Sequence, residues 1–164
     1  MRLKIWTFTV SLLLLIAACG VKQTAEQLWD SSEQALKARK YSRAIKSLET
    51  LISAYPDHAI TPRAKLQIGD IYMNNMNKID NSLEAYGEAA ENYPNTEEGA
   101  KALFMVGFVN ANHLQDLGAA EDAYLDFLHR YPNHELIPSV RFELENLGRS
   151  IDEIEALQDI TNAS

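Results

Sequence analysis

Apolar residues recur along this chain with a short period inside segments and a long period between them. Inside segments they lie about three or four positions apart, as at residues 66, 68, 71 and 72 and again at 83, 86, 89 and 90. This spacing is typical of amphipathic helices. The long period is 38 positions, and it relates Leu66 to Phe104 and Phe142. The pattern predicts pairs of helices that repeat along the chain.

The same short motif ends each predicted pair. Tyr-Pro followed by Asp or Asn begins at Tyr55, Tyr93 and Tyr131, which are separated by the same long period. Proline lacks the N–H group that a helix requires, and its ring clashes with the preceding turn, so each motif ends a helix. Residues 74–80 are expected to form a polar turn inside one pair. Thr61 is expected to cap a first helix, and Thr96 precedes two acids suited to a helix start.

A single helix pair cannot bury its own apolar face, so successive pairs must stack. The pattern resembles the tetratricopeptide repeat, in which small residues let helices approach closely. The matching small positions are Gly69, Gly107, Ala44, Ser82 and Ala120. The resemblance implies an all-α fold, an α-solenoid of tetratricopeptide-like helix pairs. The unit is longer than the usual one of about 34 residues, with one extra residue in the inner turn and three more after the proline. Ser31 lies near the glycine position of the first helix.

The chain divides into four expected segments. These are a signal peptide at 1–18, a lipidated cysteine and linker at 19–24, the solenoid at 25–160 and a frayed tail at 161–164. The solenoid units are expected at 25–58, 59–96, 97–134 and 135–160. The last unit is partial: a first helix at 138–147 is followed by a capping box at Ser150, which opens a short capping helix.

The N-terminal segment has the pattern of a secretory signal. Arg2 and Lys4 precede an apolar run of about 14 residues, shorter than the roughly 20 needed to span a membrane. The run ends in Leu-Ile-Ala-Ala before Cys19, the single cysteine. This stretch resembles the lipobox of bacterial lipoproteins, which implies a covalent lipid on Cys19, while the alternative is an incidental thiol. Gly20 follows instead of an aspartate, which by the same resemblance favours the outer membrane, facing the periplasm.

Charge narrows the range of partners. The chain has 15 basic and 23 acidic residues, and loss of Arg2 and Lys4 with residues 1–18 leaves a net charge near −10. Nucleic acid is therefore not expected as a partner, because phosphate binding needs a basic surface. For the same reason the body of the protein is not expected to be drawn to anionic lipid, so the acyl chains must hold it at the membrane.

Catalytic motifs are not evident, and the expectation is no enzyme and no cofactor besides the lipid. His58 and His134 occupy the same position after the repeat proline, which favours a role in the turn over metal ligation. A periplasmic enzyme that uses His113 or His129 is the alternative.

A partner-binding surface is expected on the first helices, which line the concave side in this repeat class. Counting from Gly69 and Gly107 nominates Arg63, Gln67, Asp70, Met73 and Asn74 in one unit and Lys101, Phe108, Ala111 and Asn112 in the next. Phe108 could anchor a ligand or could pack as core between repeats, and the sequence leaves both open.

A lipobox followed by such repeats resembles two envelope families. One is the repeat-containing lipoprotein of the β-barrel assembly machinery, and the other is the TolA-binding periplasmic coordinator, whose N-terminal part is a coiled coil that this chain lacks. The first resemblance implies a lipid-anchored interaction scaffold in outer-membrane protein assembly, with barrel-assembly subunits or outer-membrane clients as partners. The alternative is a Tol-Pal or peptidoglycan-associated adaptor that binds TolA, Pal or a cell-wall synthase.

Overall fold

A computed structural model describes residues 22–149 of the chain, and helices make up most of that range. The helices are α1 (Ala25–Lys37), α2 (Tyr41–Ala54), α3 (Thr61–Asp70), α4 (Ile79–Asn92), α5 (Glu97–Val109), α6 (Leu117–Arg130) and α7 (Ile137–Glu145), with π-helical segments at Ile71–Asn75 and Asn110–Leu114. The prediction of an all-α fold is confirmed. The expected signal peptide, Cys19, the capping helix at Ser150 and the tail at 161–164 lie outside the described residues.

The helices stack in chain order as a solenoid. Each contacts the next from α1 to α7, and the first helices α3 and α5 also contact each other. The second helices supply the centre of the core, where Leu48, Tyr86 and Tyr124 occupy the same position in successive units and are fully buried. Burial of one apolar side chain of this size contributes about 1.5–3 kcal/mol, so these three positions hold successive units together.

The small residues of the first helices permit close packing against the second helices. A Cβ atom on Gly69 would overlap the ring of Tyr86, and one on Gly107 would overlap the ring of Tyr124. The three small positions predicted on the second helices, Ala44, Ser82 and Ala120, are fully buried. A larger residue at either glycine would therefore push a buried tyrosine out of place.

The extra residue of the long repeat unit lies in the π-helical segments. Gly69 precedes Ser82 by 13 positions, whereas the buried small residue of α1, Ser32, precedes Ala44 by 12. A π segment accommodates one inserted residue because its hydrogen bonds run from i+5 to i. Ser31 was expected near the glycine position of the first helix, and the buried serine is its neighbour Ser32, because α1 lacks this insertion.

Two further local predictions need correction. Residues 74–80 were expected to be a polar turn, but the N–H of Met76 donates to the carbonyl of Ile71 in the π segment, and α4 already begins at Ile79. Thr61 does not cap α3: it is the first residue of the helix, and its Oγ1 donates to the carbonyl of Tyr55 at 2.6 Å. Thr96 does cap α5, since its Oγ1 accepts the N–H of Gly99 at 3.0 Å.

Two tyrosines of the Tyr-Pro motif bond to backbone carbonyls far upstream in the chain. The hydroxyl of Tyr55 donates to the carbonyl of Gln23 at 2.7 Å, and that of Tyr131 donates to the carbonyl of Pro94 at 2.8 Å. The motifs at Tyr55 and Tyr131 therefore end a helix and also bond to the backbone 32 and 37 residues upstream, and the bond of Tyr131 joins two successive units.

Candidate partner-binding surface

The residues nominated in the second unit lie along α3 and its π segment. Arg63, Gln67 and Asp70 are spaced i, i+4 and i+7, which places them on one face of α3, and Met73 and Asn74 follow in the π segment. Arg63 and Asn74 are exposed, while the other three are partly buried.

The residues nominated in the third unit form a matching row. Lys101 and Phe108 lie on α5, and Ala111 and Asn112 follow in its π segment. Asn112 is exposed and the other three are partly buried. Because α3 and α5 contact each other, the two rows lie on neighbouring helices. We refer to these nine residues as the first-helix surface.

Several of these side chains already have partners within the protein. The Arg63 guanidinium lies 4.7 Å from the ring centre of Trp29. Lys101 Nζ lies 3.0 Å from Glu97 Oε1, and this hydrogen bond raises the pKa of Lys101 and lowers that of Glu97. Met73 packs against the core. A partner that used Arg63 or Lys101 would have to compete with these internal contacts.

Asp70 accepts a hydrogen bond from within the protein, which its position on this surface did not predict. Tyr86 donates its hydroxyl to Asp70 Oδ1 at 2.8 Å. Burial raises the pKa of the Asp70 carboxyl, while the hydrogen bond from Tyr86 opposes this shift. Burial, followed by the charge of Asp70, raises the pKa of Tyr86 well above its ordinary value. The carboxylate of Asp70 therefore helps to satisfy a buried tyrosine.

Phe108 occupies the position of Asp70 in the next unit, one repeat period further along the chain. It is partly buried, and its ring centre lies 6.5 Å from that of Phe104 and 6.0 Å from that of His113. Its side chain is thus an aromatic group at the surface that rests on a second phenylalanine, and aromatic residues are enriched in the cores of protein interfaces.

Because Phe108 replaces the aspartate, a buried tyrosine of the third unit lacks the acceptor that its counterpart has. The buried hydroxyl of Tyr124, the counterpart of Tyr86, has no hydrogen-bond partner among the described residues. Burial, followed by the charge of Glu143 on α7, raises the pKa of Tyr124, and burial raises the pKa of Glu143 itself. Sequence reasoning missed this unpaired group, although alignment of Asp70 with Phe108 at the repeat period would have revealed it.

Two of the four histidines, His58 and His134, bond within the turns that follow the repeat prolines. Nδ1 of His58 accepts the N–H of Ile60 at 3.3 Å, and Nδ1 of His134 accepts the N–H of Leu136 at 3.1 Å. Their Nε2 atoms face Glu26 at 3.2 Å and Glu97 at 3.0 Å. These bonds agree with the turn role predicted for this position.

A cavity among the described residues lies beside His134, between the turn after α4 and the end of α6. It measures about 670 Å³, and His129 and Arg130 are among its lining residues. Within residues 22–149, no group of three or more histidine, cysteine or acidic side chains is arranged to hold a metal ion.

Comparison with known proteins finds a family whose model matches this chain. A family model described as "YfiO: Outer membrane lipoprotein" matches residues 21–155, a range that contains all the helices described above. No curated protein matches the chain. None of the helices within residues 22–149 is both long enough and apolar enough to cross a membrane.

Proposed function

The chain belongs to the YfiO family of outer membrane lipoproteins, and we propose that it is a lipid-anchored scaffold on the periplasmic face of the outer membrane that contributes to outer-membrane protein assembly. Cys19 carries the lipid in this proposal. The role is one of binding: we propose no catalytic activity and no cofactor besides the lipid. The partners are subunits of the barrel-assembly machinery or their outer-membrane clients.

The observation that carries the binding role is the aromatic position on the first-helix surface. Phe108 is partly exposed on α5 where the preceding unit has Asp70, so an apolar group replaces a charged one at the same place on the solenoid. A solenoid does not require an aromatic residue there, because the preceding unit folds with an aspartate. Extended surfaces of this kind bind peptides or helices through a few apolar anchors.

Two experiments test the two halves of the proposal. For the anchor, cells that express the wild type or Cys19→Ser are labelled with a radioactive fatty acid. We expect label on the wild type and none on the variant. Wild-type protein that is free in the periplasm and unlabelled would contradict the anchor.

For the partner, a photo-reactive amino acid replaces Phe108 in living cells, and mass spectrometry identifies what it captures. The matched control carries the same group at Leu125, an apolar residue of α6 that is 51% exposed. Barrel-assembly subunits or unfolded outer-membrane proteins captured only from position 108 support the proposal. Capture of TolA, Pal or a cell-wall synthase would contradict the proposal and favour the adaptor role instead. Cross-links confined to its own chain would remove Phe108 from the binding surface.

A further inference from the structure

A cluster of exposed cations lies at the turn between α1 and α2. Its members are Lys37, Arg39, Lys40, Arg43 and Lys46, which we call the basic patch. They are five of the 15 basic residues in a chain whose net charge is −8. None of them forms an ion pair with a carboxylate among the described residues. The patch is therefore a local positive region on an acidic protein.

The repeat itself shows that the fold does not need these cations. The same positions in the second unit are Asn75, Asn77, Lys78, Asn81 and Glu84, and in the third unit they are His113, Gln115, Asp116, Ala119 and Asp122. The first set has no net charge and the second is acidic, yet both inner turns form. The residue at the centre of each turn is left-handed in all three units, with φ of 56° at Arg39, 52° at Asn77 and 56° at Gln115. Because an inner turn with a left-handed residue at its centre forms with or without the cations, the patch needs a reason outside folding.

The geometry of the turn suits a phosphate group. Lys40 and Arg43 line a cleft of about 220 Å³ together with the polar side chains of Ser31 and Gln34. Lys40 is the N-cap of α2 and makes no side-chain bond to the first turn of the helix. The amide groups at this helix start therefore add to the positive potential of the two cations.

The position of the patch relative to the membrane tether points to its ligand. Ala25 lies only six positions after Cys19, a reach of about 20 Å when extended. The tether enters at Gln23, whose carbonyl is held by Tyr55, and the patch lies at the other end of α1. At the rise of an α-helix, α1 is itself about 20 Å long. An anchored protein can therefore bring the whole length of α1 to the bilayer.

The helix face between the tether and the patch carries little charge. Gln27, Ser31 and Gln34 line the shallow groove that begins at Gln23 and reaches the patch, with Asp30 as the one acid among its lining residues. Glu26 and Glu33 also lie on α1, and Glu49 on α2 is near the patch in sequence. A bilayer surface would meet a polar strip with a single acid on it and cations at its far end.

We propose that the basic patch binds the phosphate groups of anionic phospholipids in the membrane that holds the lipid anchor, so that the protein has a second attachment and lies with α1 along the bilayer. The inference depends on the proposed anchor at Cys19. It differs from the expectation drawn from net charge, because this turn is positively charged although the chain as a whole is negatively charged. An anchor fixes one point of a protein and leaves its orientation free, whereas a basic patch adds attraction to anionic headgroups.

The test uses the full lipidated protein, labelled with a fluorophore on a cysteine at Ala38, an exposed residue within the turn. Vesicles of phosphatidylcholine alone, or of phosphatidylcholine and phosphatidylglycerol in equal parts, carry a quencher on a fraction of their headgroups. We expect quenching on the mixed vesicles only, and we expect it to vanish in 1 M salt, where the Debye length is about 3 Å. The same label at Gln115, the counterpart of Arg39 in the third unit, should not be quenched.

A variant removes three of the five cations of the basic patch without removing the turn. Arg39→Asn, Arg43→Asn and Lys46→Glu together install the residues that the second unit has at these positions, Asn77, Asn81 and Glu84. The population of protein whose turn lies on the bilayer, relative to the population whose turn is free of it, should fall about fivefold for each cation removed. Lys78→Glu with Arg141→Glu is the matched control, because it makes the same change in net charge outside the patch, and it should leave quenching unchanged.

The outcomes separate the patch from the anchor. Flotation of the labelled protein with both kinds of vesicle reports the anchor, and failure to float contradicts the proposed function. Flotation with equal quenching on both kinds of vesicle, or equal loss of quenching in the control variant, overturns the patch inference alone. A photo-reactive residue at position 38 that captures an acidic protein and no phospholipid in cells overturns it as well, since the patch then serves a protein partner.

Discussion

Tyr86 and Asp70 are joined by a hydrogen bond of 2.8 Å between the hydroxyl of a fully buried tyrosine and a partly buried carboxylate. The bond links α3 to α4, the two helices of one unit. In the next unit, Tyr124 keeps the tyrosine position and Phe108 takes the aspartate position, so the bond is absent there. The protein thus contains the same buried tyrosine with and without its acceptor.

We expect Asp70→Ala to lower the free energy of unfolding by about 1–3 kcal/mol, because the hydroxyl of Tyr86 would remain buried without an acceptor. Urea unfolding followed by circular dichroism measures the change. The double variant with Tyr86→Phe should recover part of the loss, since it removes the stranded group. If the effects of the two single changes simply add, the bond contributes nothing and the prediction fails.

Tyr124→Phe should behave in the opposite way. Its hydroxyl is buried without a partner among the described residues, so its removal should leave the free energy of unfolding unchanged or raise it by up to about 1 kcal/mol. Tyr86→Phe is the matched control and should be destabilising. Equal losses in the two variants, measured in the same urea series, would show that Tyr124 has an acceptor after all.

The sequence was sufficient to predict the helical repeat because the responsible signals are periodic. Gly69 and Gly107 could be identified as close contacts because a small residue at a fixed offset is typical of this repeat class, and both lie against tyrosine rings. The π segments could not be foreseen in the same way. The insertion of one residue lengthens the repeat unit by one. The spacing of apolar residues does not show whether that residue lies in a turn or in a widened helix.

The candidate surface was predictable only in part. Positions such as Arg63 and Lys101 follow from counting along the repeat, but their internal partners, Trp29 and Glu97, depend on side-chain geometry. The bonds from tyrosine hydroxyls to the carbonyls of Gln23 and Pro94 have no sequence signature, because every residue has a carbonyl group.

Two glycines in helix interiors should respond in opposite ways to the same substitution. Gly107→Ala places a Cβ atom against the ring of Tyr124 and should cost about 1–3 kcal/mol. Gly87→Ala meets no atom within 4 Å and should stabilise the protein by about 0.5–1 kcal/mol, because alanine is the better helix former. Thermal and urea unfolding of the two variants check both signs. A destabilised Gly87→Ala variant would mean that this face of α4 is covered by something outside the described residues.

Glu97 should make stability depend on pH in the acidic range. Its carboxylate faces Lys101 and His134, and the hydrogen bond from Lys101 is the main cause that holds its pKa below the ordinary 4.5. Because the folded state lowers the pKa, the stabilisation is complete above about pH 4.5 and is lost as the pH falls through the lower, folded-state value. Glu97→Gln should therefore be less stable than the wild type at neutral pH, and the difference should shrink in acid.

Glu143→Gln is the control, because it should change the stability in the opposite direction. Burial raises the pKa of Glu143, so its ionised form is disfavoured in the folded protein, and the amide should be at least as stable as the wild type at neutral pH. Its advantage should also vanish once the pH falls below the ordinary 4.5, where the carboxyl is protonated in both states. Urea unfolding at several pH values between 3 and 7 should give difference curves of opposite sign for the two variants. Curves of the same sign would mean that the contacts of Glu97 with Lys101 and His134 do not stabilise its charge.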